Sequence, residues 1–574
     1  MQLHRATARR AGVRDRKLCT LASAWLALSS AATATAQEIP NRLPPSAQPG
    51  RELQQPEALR PIPDSASIDV PEAPAAQPPA GSERVAFKLT AVNVAGATLL
   101  TQEELQRHYA DKIGRTVSVA EMFQVAAAIE NEYRSRGYVI SRALLPEQQI
   151  ERGVVRIVVV EGFISDIQFS NDVGAARAQI EALLSPLREQ KPVSIAAIER
   201  RLLLANDLAG VQVRGTLQPS NAQQGAATLV IASDREPVYA SALLDNRNSP
   251  YTGSNQAIVR ASWNSFTPQA GTLTLVGKSA FPYRREHMFQ AAYDQSISGN
   301  GMTAGVAAFT AKSHPGKNLT PLDVHSEVES ASATVAYPIL RSRVMNLRVD
   351  GTFDYTNLDT DVLGQAYTED RLRVLRVGLT FDRSDSWQGV NAARVSLSKG
   401  LDIFGASPRR SELLSRYDGR SDFTKISAQF VRLQTLTDNF SLLASAVGQI
   451  TWDSLLSSEQ IGLGGPEFGR AYDTSEVSGD KGIDGVLELR YRPSSDHEFW
   501  GGTQFFVYYD IGKVWNVALE YPQEQSLASA GAGVRLNLPG NLYASLEVAK
   551  ALTHIVASEG DKPTRAFFSI SAQL

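Results

Sequence analysis

The feature that most constrains the fold is a run of alternating polarity from residue 236 to residue 574. Within 375–381, 534–538 and 542–548, aliphatic residues alternate with polar or charged ones. This period is typical of strands with one apolar face and one polar face. A soluble sheet needs a second layer over its apolar face. A membrane barrel exposes that face to lipid and closes on itself without one.

The length of this run sets the expected number of strands. At roughly 21 residues per strand and connection, it accommodates about sixteen strands. We therefore predict a membrane all-β fold, in which residues 236–574 form an antiparallel transmembrane β-barrel.

The N-terminus has the composition of an export signal. A basic stretch ending at Lys17 precedes a short run rich in Ala and Leu, and an Ala-x-Ala site precedes Gln37. The only cysteine, Cys19, lies within this segment, so neither disulfides nor thiolate metal sites are expected. Residues 1–36 are therefore predicted to be a signal peptide.

A proline-rich linker is predicted for residues 37–83. It holds eleven of the 28 prolines, a composition that favours extended chain and cannot bury a core.

Two similar α+β units are predicted between the linker and the barrel. The first, residues 84–162, contains capping boxes at Thr101 and Ser118, each followed by a helical pattern. The second, residues 163–235, repeats the order of elements more loosely and has a helix cap at Ser194. Repetition at about 75 residues indicates tandem modules.

A glycine-rich loop with one arginine lies inside the barrel region. It spans Gly462–Asp473 and carries Arg470, and the later strand Phe505–Trp515 carries Asp510. An arginine and an aspartate can form a bidentate ion pair. Such a pair between Arg470 and Asp510 would fold the loop back into the barrel lumen.

Several stretches of the chain together resemble the two-partner secretion (type Vb) transporters, the hemolysin secretion/activation family of POTRA-barrel proteins. The stretches are 136–148, 159–164, 244–253, 464–472 and 508–510. The resemblance implies two periplasmic POTRA modules, at 84–162 and 163–235, and a sixteen-stranded barrel in the outer membrane of a Gram-negative bacterium. It also implies secretion of an unfolded exoprotein, which the modules bind through its N-terminal secretion domain. Further implied partners are outer-membrane lipid and the barrel-assembly machinery.

The resemblance also implies roles for individual residues. It implies a pore-loop latch formed by Gly469, Arg470 and Tyr472. It implies that the barrel wall meets this latch at Tyr508, Asp510 and Gly512. It also implies a substrate-binding site in the first module at Tyr138, Pro146 and Gln148. The chain departs from the family at Ala471, where the family has glycine. Residues 51–60 are the candidate for a short helix that plugs the barrel, although Pro56 interrupts them.

Other functions find little support in the sequence. The seven histidines are scattered without metal-binding spacing, so no metal site, cofactor or catalytic residue is expected. A net charge of -3 and the lack of a basic patch argue against nucleic acid as a partner. Two alternatives to secretion stay open: an insertase that assembles other barrels, and a passive porin.

Overall fold

The computed structural model describes residues 43–47, 59, 67–69, 77–220, 223–283, 285–494 and 501–574. The predicted signal peptide and most of the candidate plug helix lie outside the described residues. Among the α-helices in the described ranges, none is both long and apolar enough to cross a membrane.

Two small α+β modules precede the barrel. Their elements, together with one strand of the linker, are β1 (Ser67–Asp69), β2 (Ala86–Lys88), β3 (Ala91–Ala95), α1 (Gln102–Gln106), β4 (Thr116–Ser118), α2 (Val119–Ser135), β5 (Arg142–Leu144), β6 (Val154–Val160), β7 (Phe163–Phe169), α3 (Arg177–Leu184), α4 (Ile195–Asn206), β8 (Val211–Pro219) and β9 (Ala226–Arg235). We call β2–β6 with α1 and α2 module 1, and β7–β9 with α3 and α4 module 2.

Module 1 packs α2 on a three-stranded sheet of order β3-β6-β5. Both predicted capping boxes are confirmed: Thr101 and Ser118 each accept a hydrogen bond from a backbone amide three residues later. The buried side of α2 includes Met122, Val125 and Ile129, which contact the sheet. Burial of these apolar side chains contributes most of the stability of so small a unit.

Module 2 has a four-stranded sheet of order β1-β8-β9-β7. Its own strands are β7, β8 and β9, and the linker strand β1 pairs in parallel with the outer edge of β8. The register places Ser67 opposite Arg214 and Asp69 opposite Thr216. One piece of the linker is therefore a strand of this sheet.

Sixteen antiparallel strands close into the barrel, which confirms the predicted fold class. The strands after module 2 are β10 (Val238–Asp245), β11 (Asn255–Trp263), β12 (Thr272–Phe281), β13 (Glu286–Ser296), β14 (Thr303–Ser313), β15 (His325–Arg341), β16 (Met345–Val362), β17 (Gln365–Ser384), β18 (Gly389–Gly400), β19 (Thr424–Thr435), β20 (Phe440–Thr451), β21 (Ile461–Leu463), β22 (Val477–Gly479), β23 (Lys481–Tyr491), β24 (Thr503–Trp515), β25 (Glu524–Leu538), β26 (Leu542–Ala551) and β27 (Thr564–Gln573). All of these except β21 and β22 form the barrel, and β10 pairs with β27 to close it.

The alternating sequence places apolar side chains on the outside of the barrel and polar ones in the lumen. In β17, Leu375, Val377 and Leu379 are exposed, whereas Arg376 pairs with Asp354 of the neighbouring strand at 2.6 Å. The outer surface therefore suits lipid and the lumen suits water.

Module 2 lies against one end of the barrel. Asp207, just after α4, pairs with Arg341 at the end of β15 at 2.8 Å. Gln179 of α3 donates to the Ser296 hydroxyl at the end of β13 at 2.7 Å. The longer connections, including residues 401–423 and 452–480, lie at the far end.

Candidate functional site

The connection between β20 and β23, residues 452–480, folds back into the lumen, as predicted. We call it the inward loop. Its hairpin, β21 and β22, supports a buried tip at residues 464–476. The backbone of Gly469 has φ 66°, and a Cβ there would lie 2.9 Å from both Gly464 Cα and Leu527 Cδ1. The tip turn therefore requires glycine at this position.

The side chain of Arg470 pairs with Glu488 of β23 at 2.5 Å, so the expected guanidinium pair with Asp510 is wrong. Asp510 instead accepts the backbone N–H of Arg470 at 3.1 Å. The Arg470 side chain extends across the Tyr508 ring, so that its guanidinium lies 4.2 Å from the ring centroid. Because Glu488 lies opposite Tyr508 in the barrel wall, the extended side chain arrives at Glu488.

Glu488 is shared by three arginines. Besides Arg470, it pairs with Arg490 at 2.6 Å and with Arg535 at 2.8 Å. Its side chain is completely buried. The tip is therefore held by a carboxylate that has more cations than it needs for neutrality.

Asp510 is satisfied mainly by β25. It accepts the Ser529 N–H at 3.1 Å and also the Ser529 hydroxyl. The same hydroxyl oxygen accepts the N–H of Ala471 at 3.3 Å. Ala471 lies outside the positive-φ residues, so alanine fits where the family has glycine.

A second ion pair, between β26 and the connection that follows β10, also contacts the tip. Tyr508 donates its hydroxyl to Glu547 at 2.6 Å, and Glu547 pairs with Arg247 at 2.6 Å. Arg247 in turn donates to the carbonyl of Arg470 at 3.0 Å. Tyr508 therefore contacts Arg470 through its ring and the Glu547–Arg247 pair through its hydroxyl.

The structure brings the remaining predicted latch residues to the same region. The Tyr472 hydroxyl donates to the Ala528 carbonyl at 2.9 Å and accepts the His554 N–H at 3.1 Å. A Cβ on Gly512 would lie 2.6 Å from the Asp484 carboxylate and 2.7 Å from Leu463 Cδ1. Gly512 therefore leaves room for the hairpin against the wall.

The base of the inward loop is held by a different ion pair. Asp480 pairs with Arg416 of the 401–423 connection, and both side chains are completely buried. Asp480 also accepts the backbone N–H groups of Leu455 at 3.0 Å and Val517 at 2.8 Å. Three connections at the far end therefore meet at one carboxylate.

A third contact joins the inward loop to the opposite wall. Glu459 pairs with Arg376 and with Lys425, each at 2.7 Å. A cavity of about 440 Å³ lies beside this contact, between the loop and the β15–β20 wall. The tip thus occupies one side of the lumen and leaves polar space on the other.

The residues proposed for substrate binding in module 1 lie beside its sheet. The Gln148 side chain donates to the Arg156 carbonyl at 2.8 Å and accepts the Arg156 N–H at 2.7 Å. It also donates to the Pro146 carbonyl at 3.3 Å. Tyr138 packs edge-on against Tyr133. Gln148 thus makes the two hydrogen bonds that a neighbouring strand would make to β6.

Glu161, between β6 and β7, is held by hydrogen bonds from module 1. It accepts backbone hydrogen bonds from Thr98 at 2.7 Å and Leu99 at 3.0 Å, and the Tyr133 hydroxyl at 2.7 Å. Burial acts to raise the pKa of Glu161, but the hydrogen bonds from Thr98, Tyr133 and Leu99 outweigh it and lower that pKa below its ordinary value. The carboxylate is therefore stabilised in its charged form.

Several residues of this site were not predicted from the sequence. They are Arg247, Arg416, Asp480, Glu488, Ser529 and Glu547. The available signal was alternation: Glu488 and Glu547 occupy polar positions of strands that were correctly predicted. Which of these polar positions meet depends on strand register, which the pattern does not supply.

Sequence comparison places this site in a known family. The family described as "Haemolysin secretion/activation protein ShlB/FhaC/HecB" matches residues 225–536, more than half of the chain. The chain belongs to this family. The description "POTRA domain, ShlB-type" matches residues 87–162, which cover most of module 1.

Relatives of similar length support the assignment. Heme/hemopexin transporter protein HuxB of Haemophilus influenzae is 24% identical over 463 residues, covering 78% of this chain and 80% of HuxB. Outer membrane transporter CdiB of Escherichia coli is 24% identical over 421 residues, covering 71% of this chain and 70% of CdiB. The solved structure of CdiB from Escherichia coli has the same fold, with a TM-score of 0.69 at 21% identity, over 87% of this chain and 92% of that chain.

The main functional prediction is confirmed by family membership. The protein is an outer-membrane transporter of two-partner secretion, with its POTRA modules in the periplasm, and it works with a secreted exoprotein. The end of the barrel away from the modules is therefore extracellular. Members of the family are transporters.

Proposed function

We propose that the tip of the inward loop is a displaceable latch in the protein-conducting pore, with Arg470 as the group that is released. The observation that carries this proposal is the sharing of Glu488. When Arg470 leaves, Arg490 and Arg535 stay paired with Glu488. Removing one partner of a buried pair is costly chiefly because it leaves an unpaired buried charge, and here the carboxylate keeps two cations.

The backbone contacts of the tip favour the same role. Asp510 loses one hydrogen bond when the Arg470 amide leaves, but keeps those from Ser529. Gly469 and Tyr472 shape and hold the closed tip, while Tyr508 and Gly512 supply the wall against which it closes. Displacement by an exoprotein segment would expose the pore lumen.

We infer further that module 2 receives the client along the edge of β8. An extended peptide can add to a free sheet edge through main-chain hydrogen bonds, which suits an unfolded client because no particular sequence is required. The linker strand β1 already binds β8 in this way. A client strand would take its place.

Module 1 contributes a second proposed contact at Tyr138, Pro146 and Gln148. The side chain of Gln148, rather than a strand, makes the hydrogen bonds to the backbone N–H and carbonyl of Arg156. A client segment that displaced it would regain both hydrogen bonds from its own backbone.

The remaining organisation follows the sequence predictions. We propose a signal peptide at 1–36, a linker at 37–83, POTRA modules at 84–162 and 163–235, and a barrel at 236–574. The client carries an N-terminal secretion domain. The barrel is inserted into lipid by the barrel-assembly machinery, and the transporter acts without catalysis.

Secretion of the exoprotein that this transporter exports tests the latch. Arg470→Ala should abolish its appearance in the medium, while the barrel still shows the heat-dependent gel shift of a folded barrel. Arg394→Ala is the matched control, since it removes a lumenal arginine that pairs with Asp350 of the wall. Secretion by Arg470→Ala at the parental level would refute the latch. A general loss of outer-membrane proteins on gene deletion would instead favour the insertase alternative.

Site-specific photo-crosslinking tests the β8 edge. A crosslinking residue at Arg214, exposed on β8, should capture the secreting client. The same residue at Gln168 of β7, exposed at the opposite edge of the sheet, is the control. Equal capture at both positions, or capture at Gln168 alone, would contradict the proposal.

A further inference from the structure

Three potential metal ligands converge on the connection between β14 and β15, at the extracellular end of the barrel. His314 follows the last residue of β14, and His325 is the first residue of β15. Asp323 lies between them in sequence, at the end of a short 3₁₀ helix with φ 42°. Aspartate is one of the few residues other than glycine that adopt this left-handed backbone readily.

The distances between these groups match a tetrahedral metal site. The Asp323 Oδ1 atom lies 3.4 Å from His325 Nε2 and 3.7 Å from His314 Nε2. All three ligand atoms lie within 4.8 Å of one another. Zinc bonds of about 2.0–2.2 Å in tetrahedral geometry separate ligand atoms by about 3.4 Å. Small side-chain rotations would therefore complete the site.

We propose that His314, Asp323 and His325 bind one Zn²⁺ ion, with water in the fourth position. Two imidazoles and one carboxylate suit a transition metal and disfavour Mg²⁺ and Ca²⁺, which prefer oxygen ligands. The proposal departs from the sequence expectation of no metal site. His314 and His325 are eleven positions apart, and only the β14–β15 pairing, with Ser313 opposite Ser326, brings them together.

The surroundings of the site indicate moderate affinity. The side chains of Asp323 and His325 are more than half exposed. The Nδ1 atom of His314 is enclosed and, among the described residues, has no hydrogen-bond partner. Orienting partners on the second imidazole nitrogen strengthen metal binding, so their absence here favours an exchangeable ion over a permanent one.

The ion would fasten the loop that covers the N-terminal segment. Between the ligands, Leu319, Leu322 and Val324 pack against Leu43 and Ala47 in the mouth of the barrel. A metal held by both strand ends and by Asp323 restricts this loop. We expect bound zinc to protect the 314–325 connection from proteolysis.

Zinc titration of the purified full-length protein, with any affinity tag removed, tests the site. One equivalent of Zn²⁺ should bind with roughly micromolar affinity. His325→Ala and Asp323→Asn should each weaken binding at least about 10-fold, because even residues that only support a ligand cost about that much when they are removed. Tetrahedral Co²⁺ absorption should appear in the parent and disappear in both variants. His287→Ala is the matched control, because His287 also lies near the extracellular end but outside the cluster.

Three results would overturn the proposal. They are the absence of stoichiometric binding, binding that His325→Ala or Asp323→Asn leaves unchanged, and binding that His287→Ala abolishes. Each variant is checked by the heat-dependent gel shift, so that loss of binding is measured on a folded barrel. Faster proteolysis of the 314–325 connection after chelation, in the parent but not in Asp323→Asn, would support the structural role.

Discussion

The base and the tip of the inward loop are both held by buried ion pairs, but the pairs differ in what remains when they break. At the base, the loop supplies the carboxylate of Asp480, and among the described residues Arg416 is its only cationic partner. At the tip, the loop supplies Arg470, and the wall carboxylate of Glu488 has two further arginines. Breaking the base pair separates two buried charges that have no other ionic partner in the part of the chain that the structure describes. Breaking the tip pair leaves the wall carboxylate paired.

The base and the tip of the loop should therefore differ in how easily each is displaced. A buried charge without a partner costs several kcal/mol, so the base favours a fixed position. The surplus of cations around Glu488 lowers the cost of releasing the tip. The loop is therefore anchored at its base and releasable at its tip.

The greatest loss of stability is expected at the base of the loop. Asp480→Ala leaves Arg416 buried without a carboxylate and should lower the free energy of unfolding by about 3–5 kcal/mol. Urea unfolding in detergent, followed by the gel shift, measures this change. Asp402→Ala, at an exposed position of the neighbouring connection, should change stability by less than about 0.5 kcal/mol. Equal stability of the two variants would remove the distinction between base and tip.

A smaller loss is expected at the tip. Arg470→Ala removes one charge-assisted hydrogen bond and should cost about 1.5–3 kcal/mol, clearly less than Asp480→Ala in the same assay. For each kcal/mol of stability lost, Arg470→Ala should nevertheless reduce secretion more than Asp480→Ala does.

An exchange of charges between Arg470 and Glu488 tests whether the two further arginines matter. The double variant Arg470→Glu with Glu488→Arg should not recover secretion, because the new arginine would face Arg490 and Arg535 across short distances. Full recovery would show that Arg470 and Glu488 form an isolated pair, and the surplus of cations would lose its significance.

The smallest effect concerns the junction of the modules and depends on pH. Because the pKa of Glu161 is lower in the folded protein than its ordinary value of 4.5, its contribution to stability is complete above that value and is lost as pH falls below it through the folded pKa. We compare the rate of amide hydrogen exchange in α2 between the parent and Glu161→Gln at the same pH. The rate in the parent, relative to that in the variant, should rise below about pH 4.5. Glu103→Gln, at an exposed position, should behave like the parent. A constant difference between parent and Glu161→Gln at all pH values would contradict this assignment.

The fold was largely predictable because strand alternation and helix caps are local signals. Period-two patterns located the barrel, and Thr101 and Ser118 located two helix starts. The predictions of the barrel and of the two helix starts needed no knowledge of which strands face one another. The inward position of the loop was predicted on other grounds, from the expected pairing of Arg470 with Asp510 and from the resemblance.

The partner of Arg470 could not be predicted in the same way. Glu488 and Asp510 both face the lumen on neighbouring strands, and the register that places Glu488 opposite Tyr508 is not encoded in the alternation. The pairing of Arg416 with Asp480 joins two separate connections, and the meeting of His314 with His325 depends on a loop between paired strands. Such contacts are set by tertiary structure.

Disulfide locking tests the releasable tip most directly, because the ion conductance of the purified pore needs no client. In a Cys19→Ser background, cysteines at Ala471 and Ser529 join the tip to the wall, whose contact is 3.3 Å from amide to hydroxyl. Cysteines at Arg420 and Leu455, which form a bridge between two connections, lock the base. We expect the oxidised tip lock to suppress channel openings in planar bilayers, and reductant to restore them. The base lock should conduct like the parent. Parental conductance with the tip locked would show that the tip need not be released for the pore to open.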